Sequence, residues 1–462
     1  MARAEALLRE HFGHPAFRPA QRPVLASVLA GRDTLAVLPT GGGKSVCFQI
    51  PALVLGGLTV VVSPLVSLMQ DQVAAAVARG IAAAALTAGT PAEERDRVWA
   101  GLRSGRLRLL YVSPERLDGL APQLRQQGVR PALLAVDEAH CISEWGHDFR
   151  PGFRRLRGIR YKLGQPPTVA LTGSATPHVR EDIVRTLGLG PGHAVHVGSF
   201  DRPNLWLGVV PVADERARLT ALLDLLRRDR LAIVYASTRG IAESLARALF
   251  RFGFRAVPYH AGLTRERRTA TLDAFLAGQV GVVVATCAFG MGIDKPDVRL
   301  VVHWTLPPTP ESYYQEAGRA GRDGEASRCV LLWRPGDAAL HRRQLEVTFP
   351  PRRLLESVWS GRTAPGGLPS TVRESAERLR AELRPELGAP DWSAVLDRRR
   401  RAQARIAAME SYAEARGCRR QALIGYFGER LAGCAGCDRC DAGAAGGRRL
   451  RAVRRLLAGW AG

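Results

Sequence analysis

Pro39-Thr40-Gly41-Gly42-Gly43-Lys44-Ser45, set between the apolar run Thr34–Leu38 and the helical pattern Val46–Leu55, decides the fold of this 462-residue chain. A buried strand, a glycine-rich turn and a helix make the arrangement in which backbone N–H groups cradle phosphates. Lys44 can reach the β/γ-phosphates and Ser45 can hold Mg²⁺. The strict phosphate-loop pattern wants Gly at its first position, where this chain has Leu38. The loop therefore draws its meaning from a second stretch, Asp137-Glu138-Ala139-His140. That stretch ends the apolar run Pro131–Val136, which reads as a buried strand. There Asp137 can complete a Mg²⁺ shell and Glu138 can polarise an attacking water. The pair implies nucleoside triphosphate hydrolysis coupled to mechanical work.

Outward from the loop, short apolar runs alternate with helical patterns. Strands are expected at Thr34–Leu38, Leu58–Ser63, Leu107–Val112, Leu133–Val136 and Thr168–Leu171, with helices such as Ser67–Arg79 and Ala92–Arg103 between them. This is the βαβ rhythm of a parallel sheet covered on both faces. It restarts after Asp201-Arg202-Pro203-Asn204, with strands Leu231–Tyr235, Arg255–Tyr259, Val280–Ala285, Leu300–His303 and Cys329–Trp333 and helices Gly240–Arg251 and Arg265–Ala277. The second α/β domain has no phosphate-loop lysine, so one nucleotide site shared across a cleft is expected. Between Thr348 and Pro390 the pattern weakens; a capping box of Thr371 and Glu374 before Val372–Leu383 and a helix Trp392–Ala415 are the expected elements.

The formal net charge is +23, and only Lys44, Lys162 and Lys295 are lysines. A base excess of this size implies a polyanionic partner. Met1–Glu10 has no apolar signal region, and Ile50–Met69 is broken by Pro51, Gly56, Gly57 and Pro64. A reducing cytoplasm is the expected compartment. Of eight cysteines, Cys418, Cys434, Cys437 and Cys440 cluster. Two overlapping C-x₂-C units and one distant Cys read as a closed, structural tetrahedral Zn²⁺ site. The run Arg398–Arg401 reads equally as a solvated helix face or a DNA contact.

Three further stretches carry chemistry. Phe17-Arg18-Pro19-Ala20-Gln21 offers an aromatic to stack on a base and an amide to read an adenine edge, although a Phe in such a stretch, taken alone, is more often core. Ser174 and Thr176 put hydroxyls at a strand tip. Gln315–Gly324 carries Arg319 and Arg322, three apart on a helix start and so on one face. From the second domain these can reach the γ-phosphate as arginine fingers.

With these motifs the chain resembles the RecQ family of superfamily 2 helicases. Phe17/Gln21 is similar to motif 0, Thr40–Ser45 to motif I, Ser63–Asp71 to motif Ia, Asp137–His140 to motif II, Ser174–Thr176 to motif III, Ala285–Lys295 to motif V and Gln315–Gly324 to motif VI. Cys141-Ile142-Ser143-Glu144-Trp145-Gly146-His147-Asp148-Phe149-Arg150-Pro151 resembles the aromatic-rich loop that follows motif II in that family. Cys418–Glu429 and the cysteine spacing resemble its zinc-binding subdomain.

The resemblance implies two tandem RecA-like parallel-sheet domains (1–204 and 205–345) and a helical Cys₄ zinc subdomain (391–446); it stops at an unassigned insert (346–390), which does not match the family's short linker and is a candidate DNA-binding element, and at a basic tail (447–462). It implies an ATP- and Mg²⁺-dependent 3′→5′ DNA helicase with one structural Zn²⁺, acting in repair or recombination. Lys44, Glu138, Arg319 and Arg322 would be catalytic. Phe17, Arg18, Gln21, Thr40, Gly41, Gly42, Gly43, Lys44, Ser45 and Asp294 would hold nucleotide, with Ser45 and Asp137 on Mg²⁺. Trp145, His147, Phe149, Arg150, Ser237, Thr238, His260 and Thr286 would meet DNA. Single-stranded and branched DNA, a monomeric state, a single-strand-binding protein contact, no membrane and a place at the bacterial nucleoid complete the expectation. After Cys440 only 22 residues follow, so a short form without the family's winged-helix and HRDC domains is expected. That shortness motivates an alternative, a single-strand-dependent ATPase that anneals or remodels DNA without strong unwinding. An RNA helicase is disfavoured by the aromatic loop and the Cys₄ cluster.

Overall fold

The computed structural model describes residues 1–444 apart from 40, 144, 145, 147, 291–294, 364–366 and 384–390. Thr40, Trp145, His147, Asp294 and the basic tail thus lie outside the described residues. A 7-stranded sheet is built from β1 (Thr34–Val37), β2 (Leu58–Val62), β3 (Ala83–Leu86), β4 (Leu109–Val112), β5 (Pro131–Val136), β6 (Thr168–Thr172) and β7 (Ala194–Val197). Its order is β3-β4-β2-β5-β6-β1-β7, with every pair parallel. Leu35, Val37, Val60 and Val62 pack into one buried cluster, and the alternating Ala36, Leu38 and Val61 into another on the opposite face. Helices cover both faces, which is why these strands read as unbroken apolar runs.

A 6-stranded sheet follows, from β8 (Leu205–Pro211), β9 (Ala232–Tyr235), β10 (Ala256–Tyr259), β11 (Val282–Ala285), β12 (Leu300–His303) and β13 (Ser327–Trp333). Its order is β10-β11-β9-β12-β13-β8, again all parallel. The restart falls where the linker ends, since β8 begins at Leu205. The expected helices form within a residue or two of their predicted bounds, among them Val46–Leu55, Ala92–Arg103 and Trp392–Glu414. Several start on a hydroxyl cap: Thr238 Oγ1 accepts from Ile241 N at 3.2 Å, and Thr264 Oγ1 from Arg267 N at 3.3 Å.

Two sequence expectations change here. Thr371 does not cap its helix, because that helix runs Ser370–Leu383 and takes Thr371 inside its first turn. Pro369 O instead accepts from Val372 N and Arg373 N at 3.0 and 3.1 Å. The weakly patterned stretch also folds: Arg352–Trp359 and Ser370–Leu383 pack on Trp392–Glu414 around Leu355, Ala376, Leu379 and Val395. Trp359 stacks on Trp392 with ring centroids 5.5 Å apart. Among the described residues no helix is long and apolar enough to cross a membrane.

Candidate functional site

Strands β5, β6 and β1 are neighbours, so their C-terminal ends bring Asp137/Glu138, Ser174 and the phosphate loop to one edge. Ligands of open parallel sheets bind at such edges. Gly41 and Gly43 sit at φ +78° and +73°, a backbone region that glycine enters freely. A Cβ at Gly42 would stand 2.8 Å from Pro39 O. The loop is thus shaped by its glycines as a cradle that phosphate oxygens can enter. Lys44 Nζ lies 3.6 Å from Glu138 Oε1. Glu138, a non-glycine residue, holds φ +48°, strain of the kind that clusters at working sites.

Asp137 is buried. Its carboxyl is pushed above the usual range, first by burial and then by the Glu138 charge, against the pull of Lys44 and Gln72. Gln72 Nε2 donates to Asp137 Oδ2 at 2.9 Å, and Glu138 N to Oδ1 at 3.0 Å. A desolvated carboxylate, Asp137, and the hydroxyl of Ser45 at the end of the phosphate loop are donors of the type that Mg²⁺ takes. His140 Nδ1 bridges Glu138 Oε2 at 3.3 Å and Thr172 Oγ1 at 3.0 Å.

The Phe17 stretch takes a different place from the one expected. Phe17 is buried among Ala4, Leu8, Leu25, Val46 and Ile50, so its ring is spent on packing and is not open to stack on a base. Gln21 Nε2 donates to Gly42 O at 3.2 Å and Gly43 O at 3.0 Å, and Arg18 donates to Gly41 O. In this state both side chains hold the loop from behind.

The second domain reaches the same loop. A Cβ at Gly41 would stand 3.6 Å from Arg322 Cγ and 3.8 Å from Arg202 Nη1. Gln315 Nε2 donates to Ser174 Oγ at 2.8 Å, a direct bond between the two domains. Arg319 is buried beside Tyr235, whose phenol burial pushes up and Arg319 pulls down. The Tyr235 hydroxyl donates to Phe289 O at 2.7 Å, and Gly290 leaves room for Arg319 Nη2, which stands 3.2 Å from where a Cβ would be.

At the far end of the chain, the sulfurs of Cys418, Cys434, Cys437 and Cys440 all lie within 4.8 Å of one another. Four thiolates so placed fit tetrahedral Zn²⁺ at a Zn–S distance of about 2.3 Å. Burial pushes the Cys437 thiol up, but backbone N–H donors of Cys440, Arg419 and Arg439 bring it down to about 7. The knuckle also covers the outer strand of the second sheet: Leu207 N donates to Gly436 O at 3.5 Å, and Trp206 Nε1 to Asp441 Oδ2 at 2.7 Å.

Comparison with known proteins matches these parts in order. Residues 18–183 match the DEAD/DEAH box helicase family, 217–324 the helicase conserved C-terminal domain and 382–441 the RecQ zinc-binding family. The "Probable ATP-dependent DNA helicase RecS" of Bacillus subtilis is 42% identical over 351 residues, covering 75% of this chain and 70% of that protein. The chain belongs to the RecQ family. The "ATP-dependent DNA helicase RecQ" of Pasteurella multocida is 43% identical over 353 residues, 76% of this chain but 56% of that protein. The chain thus spans little more than half the length of that relative. A solved structure of Mycobacterium smegmatis helicase Lhr, bound to ssDNA and AMP-PNP, shares the fold with TM-score 0.57 at 22% identity, over 88% of this chain and 57% of that one.

Within this RecQ-family chain the remaining site residues fall on a second edge. Ser237 and Thr238 follow β9, His260 follows β10 and Thr286 follows β11, three adjacent strands. Ser237, Thr238 and Thr286 are half-buried. His260 is 3% exposed and its Nε2 stands 3.0 Å from Glu243 Oε1, so it supports the edge from within and does not face outward. On the first domain, Arg150 Nη1 donates to Pro64 O at 2.6 Å and Arg150 pairs with Asp148 at 3.2 Å. This ties the half-buried Phe149 and its loop to the turn after β2. In the run Arg398–Arg401, Arg398 pairs with Glu382 and Arg400 with Asp397.

Two side chains at the site escaped the sequence reading. Gln72 lies one residue beyond the stretch taken as motif Ia, and only the pairing of β2 with β5 brings it to Asp137. Arg202 lies in the stretch Asp201–Asn204, which in the sequence marks only the point after which the βαβ rhythm restarts. An arginine gives no signal in a chain this rich in arginine.

Proposed function

We propose that this protein is an ATP-dependent DNA helicase and translocase moving 3′→5′ on single-stranded DNA. The observation that carries the proposal is the approach of Arg322, from the second domain, to Gly41 of the first domain's phosphate loop. One nucleotide would then be held by both domains. In that reading Gly41–Gly43 and Lys44 bind the phosphates, Ser45 and Asp137 hold Mg²⁺, which neutralises phosphate charge when bound, and Glu138 orients the attacking water. Arg319 and Arg322 stabilise charge on the transferring phosphoryl group. Opening and closing of the cleft would move a strand lying across the Phe149–Arg150 loop and the β9–β11 edge. The aromatic loop supplies a stacking platform, and the net charge of +23 supplies backbone affinity that falls with salt. The named relatives are DNA helicases, in line with DNA as the partner.

The deciding experiment compares ATP turnover with no nucleic acid, single-stranded DNA and single-stranded RNA, then strand separation on tailed duplexes. Stimulation by DNA with separation of the duplex supports the proposal. Stimulation by RNA alone, or none, contradicts it.

A further inference from the structure

Arg419 and Arg420 open the helix Arg419–Tyr426, and each is 1% exposed. A guanidinium stays buried only where acceptors match its donors. The two find theirs in different bodies. Arg419 stays within the cysteine module: its Nε donates to Asp438 Oδ1 at 3.1 Å, and its Nη1 to Ala413 O at 3.1 Å and to Tyr412 O. Arg420 leaves the module: its Nη1 donates to Asp201 Oδ1 at 2.6 Å and Arg202 O at 2.9 Å, and its Nη2 to Leu205 O and, at 3.3 Å, to Gly436 O. Residues 201–205 join the two sheets, and Gly436 stands between Cys434 and Cys437.

The linker in turn holds the arginine segment. Arg202 Nη1 donates to Gly318 O at 3.3 Å, and its Nη2 to Ala320 O at 3.1 Å and Gly321 O at 2.8 Å. Asn204 Nδ2 donates to Gly321 O at 2.8 Å. These carbonyls surround Arg319 and precede Arg322. A second grip runs beside the first: Glu429 accepts from Ser199 Oγ at 2.6 Å and Phe200 N at 2.7 Å, and Phe427 stacks on Phe200 with centroids 4.5 Å apart.

We infer that Arg420 is a positioning residue for ATP hydrolysis, fixing the linker so that Arg202 holds the 318–321 turn, and with it Arg319 and Arg322, against the phosphate loop. The inference rests on the ATPase reading above. The link depends on a folded cysteine cluster. Cys418 Sγ caps the helix that carries Arg420, accepting from Gln421 N at 3.4 Å, and Gly436 O is an acceptor only where the knuckle is closed. Four thiolates order such a knuckle when they share a metal. The cysteine module would thus act on hydrolysis from outside the nucleotide cleft.

The test is steady-state ATPase kinetics of the full chain with saturating single-stranded DNA, alongside zinc content and melting temperature. Arg420→Gln removes the link from the module side. Asp201→Ala weakens it from the linker side, taking away the one charged acceptor of Arg420 while Arg202 O and Leu205 O remain. Both are expected to lower kcat by about 10- to 100-fold, with KM for ATP and zinc content changed by less than about twofold. Arg419→Gln, equally buried but confined to the module, is expected to lower zinc content or melting temperature while kcat per bound zinc stays within about twofold. Wild-type kcat in Asp201→Ala and Arg420→Gln overturns the inference. So does a loss of kcat per zinc in Arg419→Gln that equals theirs. A wild-type protein that hydrolyses no ATP fails the ATPase reading itself and is distinguished from both by that control.

Discussion

The two sheets of this molecule share one parallel architecture and carry opposite chemistry at different ends of their strands. In the first domain the ends of β5, β6 and β1 present a glycine cradle, one lysine and two carboxylates. In the second, the segment between β12 and β13 presents Arg319 and Arg322 and no phosphate-loop lysine. In the proposed function neither set of side chains alone would bind a triphosphate, place a metal and neutralise the leaving charge. The Gln315–Ser174 bond and the contact of Arg322 with Gly41 join them. In the proposed function one reaction would be split between two domains, and motion between them would become part of the reaction.

That asymmetry breaks most sharply at its two poles. Lys44→Ala and Arg322→Ala are each expected to lower DNA-stimulated turnover by about 10³-fold or more, although they lie on different domains. Single-strand affinity should persist in both, measured by anisotropy of a labelled strand. Full turnover in Arg322→Ala would mean that the first edge works alone. At the zinc knuckle, Cys437→Ser is expected to abolish binding of about one zinc per chain and lower the melting temperature by about 10 °C. Unchanged melting would mean that the β8 edge needs no cover. On the first domain's aromatic loop, Arg150→Ala should cut stimulation by single-stranded DNA about tenfold with unstimulated turnover retained. Unaltered stimulation would remove that loop from coupling.

The smallest expected effect concerns pH. Asp137 holds its proton above the ordinary carboxylate value of 3.8. Without a cation, the folded chain keeps a proton that the unfolded chain has released, so stability falls as pH rises through that window. Mg²⁺ held at Asp137 would offset the loss by pairing the ionised carboxylate. The melting gain from Mg²⁺ with ADP should therefore be larger near about pH 7.5 than near about pH 5, by a few degrees. An equal gain at both would place the cation elsewhere.

Most strands were legible because parallel sheets bury both faces and leave unbroken apolar runs. The exceptions were edges. Ala83–Leu86 is nearly all alanine, and Ala194–Val197 has His196 and two half-exposed valines, so neither reads as a core strand, and the outer strand Leu205–Pro211 of the second sheet was not expected either. Motif chemistry was also legible, since phosphate and metal chemistry demand particular residues at fixed spacings. Phe17 was not, because one aromatic serves equally as core or platform until its neighbours are known. In the insert, the helices over Val372–Leu383 and Trp392–Ala415 were legible and Arg352–Trp359 was not, nor was the small core of Leu355, Ala376, Leu379 and Val395, because it forms only when the three helices meet. Arg202, Arg420 and Glu429 act across more than 100 residues of sequence, and no local spacing can report that.

The measurement that bears most directly on the central claim is ATP-dependent unwinding of a 3′-tailed duplex beside blunt and 5′-tailed duplexes of the same sequence. The shared-site account predicts that the 3′-tailed duplex alone is opened and that Arg322→Ala opens none. Turnover stimulated by single strands with no duplex opened, or opening that survives Arg322→Ala, would contradict it.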